Sequence, residues 1–348
     1  MNIKTITALL AFYSLVLFHP STAKACSRIT YIGPDQIVAM GRTMDWMEDI
    51  KTDLWAFPAG IKRSGNNNDP QSLQWTSKYG SVIASGYNIG STDGINTEGL
   101  CANLLYLSDT QYGKPKAEQK NLSILSWAQY FLDNYATVDE AVKDFGKDVV
   151  NIVANTLPNG SQATVHLAIA DRSGDNAIFE YVHGKLVIHH NKAYNVMTNE
   201  PTYEKQLALN EYWQELKGAF LPGTENPSDR FVRASYFLNK AQKTSHPEQA
   251  IAVVFSIMRN VSVPMMENTD PNHPNIAATI WRSAADLKNN IYYFESSERP
   301  NVFWVDLNKL DLKKGASIKK LPLQQGQIYA GEVSNKFITS PSFFLQDK

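Results

Sequence analysis

The chain has 348 residues, 43% apolar and 11% aromatic, with a formal charge of −1 and only two cysteines. A chain of this size buries a sizeable core, and near-neutral charge without a Lys/Arg block excludes nucleic acid as its main partner. Two thiols exclude a cysteine zinc cluster, and no His pair stands at i, i+4 spacing on a plausible helix.

The first element is a secretion signal. Lys4 supplies a short positive region, Ile6 to Phe18 an apolar run too short to span a membrane, and Pro20 a break before the small-residue site Ala23-Lys24-Ala25. Cleavage after Ala25 would remove residues 1–25, export the rest to the periplasm or beyond, and leave no segment for membrane insertion. A lipoprotein signal is the rival, but Ala23 and Lys24 fit a lipobox poorly. Losing Lys4 and Lys24 moves the formal charge from −1 to −3.

The same cut exposes Cys26 as the first residue of the mature chain. A thiol attacks as thiolate and needs a base to become one. An α-amine has a pKa of roughly 7.7–8.0 and a thiol roughly 8.5, so near neutral pH one takes the other's proton. Nucleophile and base then sit on one residue. A structural disulfide to Cys101 is the alternative. Cys101, however, lies in the apolar run Gly-Leu-Cys-Ala-Asn-Leu-Leu, which suits a buried small side chain.

Strands are predicted at Cys26–Tyr31 and Gln36–Ala39, joined by the turn residues Gly33-Pro34-Asp35. Further strands follow at Ser81–Tyr87 and Gly99–Leu107, with Gly90, Gly94 and Gly99 marking the connection. Ser123–Phe145 reads as two helices, the second opened by a Thr137/Glu140 capping box. Thr164–Ala170, Ala177–Tyr181 and Leu186–His189 form a meander turned at Ser173-Gly174-Asp175 and His183-Gly184-Lys185. Arg230–Lys240 and Pro247–Arg259 are helical, and Ala277–Asp286, Asn290–Glu295 and Val302–Asp306 close the chain as strands. Strand groups flanking helix groups imply a layered α+β domain with face-to-face sheets and outer helices, spanning 26–348 without a linker.

Four polar residues invite chemistry. Gly41-Arg42-Thr43-Met44-Asp45-Trp46 places Arg42 and Asp45 just after the second strand, near the returning Cys26; an exposed ion pair of little consequence is the plain alternative. Asn199, in Met197-Thr198-Asn199-Glu200-Pro201, is a turn residue or an amide donor aimed at an oxyanion. Arg230 opens a helix, where a cation opposes the dipole.

Mature Cys-Ser-Arg, Gly-Arg-Thr-Met-Asp-Trp, Gly-Leu-x-x-Asn-Leu-Leu-Tyr, Met-Thr-Asn-Glu-Pro and Ser-Asp-Arg-Phe-Val-Arg occur in one order from Cys26 to Arg233. Together they resemble the choloylglycine hydrolase family of N-terminal nucleophile hydrolases, which includes penicillin V acylases and bile salt hydrolases. The resemblance implies a four-layer αββα sandwich that hydrolyses a linear carboxamide without metal or organic cofactor. It implies Cys26 as nucleophile, Asp45 as acceptor from its α-amine, and Arg42 as the cation beside the sulfur. Asn199 would be the oxyanion donor, beside the backbone N–H of Tyr106, and Arg230 the support of the charge network. Trp46 and Tyr106 would wall the acyl pocket. Tyr at position 106 leans toward an aromatic or flexible acyl group, so penicillin V and N-acyl-homoserine lactones rank above conjugated bile salts. The family also implies a homotetramer, although the spacer between Asn199 and Arg230 that often builds it is short here.

Overall fold

The computed structural model describes residues 26–66, 69–265 and 277–344. The predicted signal segment 1–25 lies outside them. Two large sheets stack face to face. One runs, edge to edge, β14 (Val196–Thr198), β1 (Ser27–Ile32), β2 (Val38–Trp46), β15 (Ala278–Asp286), β16 (Ile291–Ser296), β17 (Phe303–Asp306) and β19 (Gly331–Glu332); we call it sheet A. Sheet B runs β13 (Lys185–His190), β12 (Asn176–Val182), β11 (Val165–Ala170), β8 (Cys101–Tyr106), β7 (Gly90–Asn96), β6 (Ser81–Gly86), β3 (Leu54–Phe57), β18 (Lys319–Leu321) and β20 (Ile338–Thr339). Two small pairs, β4 (Lys62–Ser64) with β5 (Gln74–Thr76) and β9 (Lys120–Ser123) with β10 (Val150–Val153), lie outside them.

Helices α1 (Ile124–Asn134) and α2 (Val138–Phe145) cover sheet B, and α4 (Pro227–Lys240) and α5 (Pro247–Asn260) cover sheet A. The result is the expected αββα sandwich. Side-chain alternation builds its layers. On β11, Ala168 and Ala170 face the intersheet core, while Leu167 and Ile169 pack under α1 and α2 with Trp127, Phe131 and Phe179. Close approach of helix to sheet needs glycine: a Cβ at Gly41 would lie 2.4 Å from Val254 of α5, and one at Gly94 would lie 2.6 Å from Ile83 and 3.0 Å from Leu132 of α1.

Several expectations change. The second strand does not stop at Ala39 but runs to Trp46, so Arg42 and Asp45 are strand residues, buried on both faces of a central strand. The connection through Gly90 and Gly94 is itself strand β7. A helix the sequence did not announce, α3 (Tyr203–Glu215), follows β14 and buries only Tyr203 and Gln206. The capping box holds at Thr137, whose hydroxyl accepts from Glu140 N–H at 3.2 Å, but Glu140 reaches back to Ala136 N–H rather than to the cap residue.

Candidate active site

Cys26 stands immediately before β1, and the β1–β2 hairpin sets its neighbours. The register pairs Ser27 with Thr43 and Arg28 with Arg42, so Cys26 comes opposite the Met44–Asp45 step. Its Sγ lies 3.4 Å from the Asp45 N–H, 3.9 Å from Met44 Sδ and 4.0 Å from Arg42 Nη2. Arg42, Asp45, Asn199 and Arg230 are all at most 1% exposed, and Cys26 is 2% exposed.

Arg42 and Asp45 do not pair with each other. Period-two alternation puts them on opposite faces of β2. Arg42 points between the sheets, donating to Leu104 O at 2.7 Å and Thr92 O at 3.1 Å, with Asp93 at 3.5 Å and the Trp281 ring 5.0 Å away. Asp45 points toward α4. Its Oδ2 accepts from Arg230 Nη1 at 3.0 Å and from the Thr43 hydroxyl at 3.2 Å, and its Oδ1 accepts from the Thr279 hydroxyl. Arg230 Nη1 also donates to the Ser27 hydroxyl at 2.7 Å. The cation in the first turn of α4 is therefore held by a buried carboxylate, which offsets its poor placement on the dipole.

Burial pushes the Cys26 thiol above its ordinary pKa, against the pull of Arg42. Burial also raises Asp45 to about 6, opposed by Arg230 and the Thr279 hydroxyl. A thiol that stays protonated needs a base, and none of the side chains that contact its sulfur is one. The Cys26 nitrogen is the nearest candidate. In the uncut chain it is an amide, and it donates to Asn199 Oδ1 at 2.9 Å rather than to Asp45.

That hydrogen bond orients Asn199. An N–H can only donate, so the amide oxygen faces Cys26 and the NH₂ turns away. Asn199 Nδ2 is buried and finds no acceptor among the described residues. A buried donor left open costs roughly 1–3 kcal/mol, so the amide that holds the Cys26 nitrogen keeps an unmet demand for an acceptor. Tyr106, at the end of β8, is paired with Val165, while the next residue Leu107 donates to Thr164 O. Antiparallel alternation therefore turns the Tyr106 N–H away from β11.

Cys26, Arg42 and Met44 line an apolar cavity together with Trp46, Tyr87, Leu104, Tyr106, Leu125 and Val165. Trp46 and Tyr106 meet edge to face at 6.3 Å, and Trp46 Nε1 donates to the Tyr87 hydroxyl at 2.9 Å. A mostly apolar concavity that reaches the thiol has the character of a small-molecule site. Trp46 also lines a second, larger cleft with Glu48, Asp49, Glu298 and Arg299, and Cys26 does not line it. Cys26 and Cys101 are both free, so no disulfide joins them.

All seven residues singled out in the sequence thus gather at one place. Thr43, Thr279 and Ser27, which complete the Asp45–Arg230 network, were missed. Thr43 becomes visible once β2 is carried through Trp46, since it then shares a face with Asp45; Thr279 depends on the β15 pairing and has no local signal.

A sequence model described as linear amide C–N hydrolases, choloylglycine hydrolase family, matches residues 26–321. A penicillin V acylase of Pectobacterium atrosepticum is 43% identical over 98% of this chain and 97% of its own. A bile salt hydrolase/transferase of Clostridium perfringens is 26% identical over 82% of this chain and 94% of its own. Among solved structures, a penicillin V acylase from Agrobacterium tumefaciens superposes with a TM-score of 0.84 at 48% identity, covering 91% of this chain and 98% of its own. The conjugated bile acid hydrolase of Clostridium perfringens shares the fold, with a TM-score of 0.73 at 23% identity over 88% of this chain and 98% of its own.

Proposed function

This chain belongs to the choloylglycine hydrolase family of linear amide C–N hydrolases, and from that premise we propose that it is a penicillin V acylase that also cleaves N-acyl-homoserine lactones. The Asn199 amide carries the reading: its oxygen accepts from the Cys26 N–H at 2.9 Å, and its buried Nδ2 has no acceptor among the described residues. That Nδ2 is a preorganised donor for a substrate oxygen. The apolar cavity behind Cys26, with Trp46 and Tyr106 as aromatic walls, favours a phenoxyacetyl or medium aliphatic acyl group. The 43% identity to a penicillin V acylase, against 26% to a bile salt hydrolase, ranks the substrates the same way.

In this mechanism, cleavage after Ala25 converts the Cys26 amide into a primary amine, and the protein is exported. The amine takes the thiol proton, with Arg42 favouring the thiolate. The thiolate attacks the amide carbonyl, and the oxyanion accepts hydrogen bonds from Asn199 Nδ2 and the Tyr106 N–H. Once free, the Cys26 nitrogen has further hydrogens to offer, and Asp45, held by Arg230, is the anion that steadies its charge. The ammonium gives its proton to the leaving nitrogen as the C–N bond breaks. Water, deprotonated by the same amine, then opens the thioester, releasing the acid and returning the thiol. The uncut chain has no such base.

The mature enzyme forms a homotetramer in this reading; Leu209, Tyr212 and Phe220 stand exposed on the arm between Asn199 and Arg230, and sedimentation tests the assembly. The substrate test is a panel of penicillin V, a medium-chain N-acyl-homoserine lactone, and glycine- and taurine-conjugated bile acids. Turnover of the first two above the bile acids is expected. Turnover confined to bile acids overturns the substrate, and inactivity on every amide overturns the reading.

A further inference from the structure

A second buried cluster of ionisable groups lies away from the thiol and takes no part in the chemistry above. Glu180 on β12 is fully buried and points between the sheets. His166 Nδ1 donates to its Oε1 at 2.9 Å and His189 Nε2 to its Oε2 at 3.3 Å. The Tyr203 N–H donates to both carboxylate oxygens, at 3.0 and 3.1 Å. Burial alone would raise this carboxyl; the hydrogen bonds from His166 and His189 outweigh it and hold Glu180 at about 2, an anion throughout the working range.

Tyr203 is the first residue of α3, and the preceding Thr202 makes no side-chain cap. A helix start carries unpaired N–H groups and a positive end, so a carboxylate is favourable there. Glu180 is the cap that α3 lacks, supplied from the opposite sheet. Its importance lies in what precedes the helix. Asn199 follows β14, a three-residue edge strand, and only the Asn199–Thr202 turn separates it from α3. On the near side, Gln206 of α3 accepts from Thr198 N–H at 3.2 Å and donates to Thr198 O at 2.8 Å. On the far side stands Glu180. The turn is pinned at both ends.

We propose that Glu180 is a positioning residue for the oxyanion donor: by capping α3 across the sandwich, it holds the Asn199 amide at Cys26 without touching substrate. The proposal deepens the amidase reading and rests on it. Outright loss of an oxyanion donor costs about 10²–10³ in turnover, and a donor set loose costs less, with the loss falling on the transition state. Glu180→Gln keeps the size and one acceptor but removes the charge. It should lower kcat about tenfold while KM stays within about twofold. If Glu180→Ala fails to fold, Glu180→Gln alone decides.

In an Asn199→Ala background, Glu180→Gln should lower kcat no further, because the group it positions is already gone. A residue that merely stabilises the fold would lower both alike. A second reading needs no turnover: in ¹⁵N-asparagine-labelled protein, the Asn199 side-chain NH₂ signal, assigned with Asn199→Asp, should move on Glu180→Gln. An unmoved signal with unchanged kcat, or an equal loss in both backgrounds, overturns the proposal. If the wild type cleaves no amide, it is the amidase reading that fails, and the NH₂ signal still decides whether Glu180 positions Asn199.

Discussion

The surroundings of the two cysteines are built from nearly the same parts. Arg28 and Arg42 are cross-strand partners on β1 and β2, and each guanidinium serves one thiol, Arg28 that of Cys101 and Arg42 that of Cys26. Both sulfurs are buried, and burial raises both, Cys101 to about 11. A neighbouring cation is therefore not what makes a nucleophile here. Cys26 differs in three respects: it borders a cavity, an open amide donor stands beside it, and its own nitrogen becomes an amine once the chain is cut. Cys101, 0% exposed at the start of β8, has none of these.

The sharpest break of this comparison is to remove each sulfur in turn. Cys26→Ala should lower penicillin V turnover by about 10⁴ or more, the loss typical of a missing nucleophile. Cys101→Ala should leave turnover within about threefold and cost stability instead, on the order of 1–2 kcal/mol for a small buried side chain. Assays on both mature variants, with thermal melts alongside, check the pair. A dead Cys101→Ala that still melts like wild type would reverse the assignment.

The two arginines separate less widely. Loss of an opposite charge beside an ionisable group shifts its pKa by about 1–3 units. Arg42→Met should then raise the Cys26 thiol further, slowing both turnover and iodoacetamide alkylation at pH 7 by about tenfold or more. Arg28→Met should leave both rates near wild type and lower the melting temperature, because Asn103 and Asn176 would lose a buried donor. Equal slowing by the two substitutions would mean that the intersheet polar network acts as one unit.

How much of this was legible follows from where each signal resides. The cleavage site beside Cys26 is covalent and local, so the sequence carries it in full. Motif order brought Arg42, Asp45, Asn199 and Arg230 to one site without resting on where any strand begins or ends. Boundaries such as the start of β6 at Ser81 and the ends of β11 at Ala170, β15 at Asp286 and β17 at Asp306 were read correctly, and those that failed did so for physical reasons. Charged side chains at Arg42 and Asp45 look like the end of a strand, yet they are buried because Leu104 O, Thr279 and Arg230 satisfy them from other elements. Gly90 and Gly94 look like turn residues, yet they are strand residues that make room for α1. Helix α3 has almost no apolar face, and its cap comes from Glu180 on the other sheet, so neither periodicity nor an N-terminal signature could announce it.

The smallest expected effect concerns pH, and it separates the two thiol sites once more. Asp45, with a folded pKa of about 6 against an ordinary 3.8, binds its proton more tightly in the folded chain than in the unfolded one. Its contribution to stability is therefore greatest at low pH and falls as pH rises from about 4 to about 6, constant above. Activity has the opposite sign, because the carboxylate is needed ionised to face the ammonium of Cys26. Kcat/KM should fall tenfold per unit as the amine is protonated below about pH 8. A second protonation, that of Asp45, should steepen the limb at lower pH, beneath the Asp45 value in the uncut chain, because the ammonium of Cys26 favours the carboxylate. Asp45→Asn should be slower throughout and should lose this bend while keeping the limb of the amine. A bend that survives in Asp45→Asn would place the titrating group elsewhere. Acetylating the Cys26 amine should abolish the upper limb, and a limb that persists would remove the amine as base, leaving Cys26 no better provided with one than Cys101.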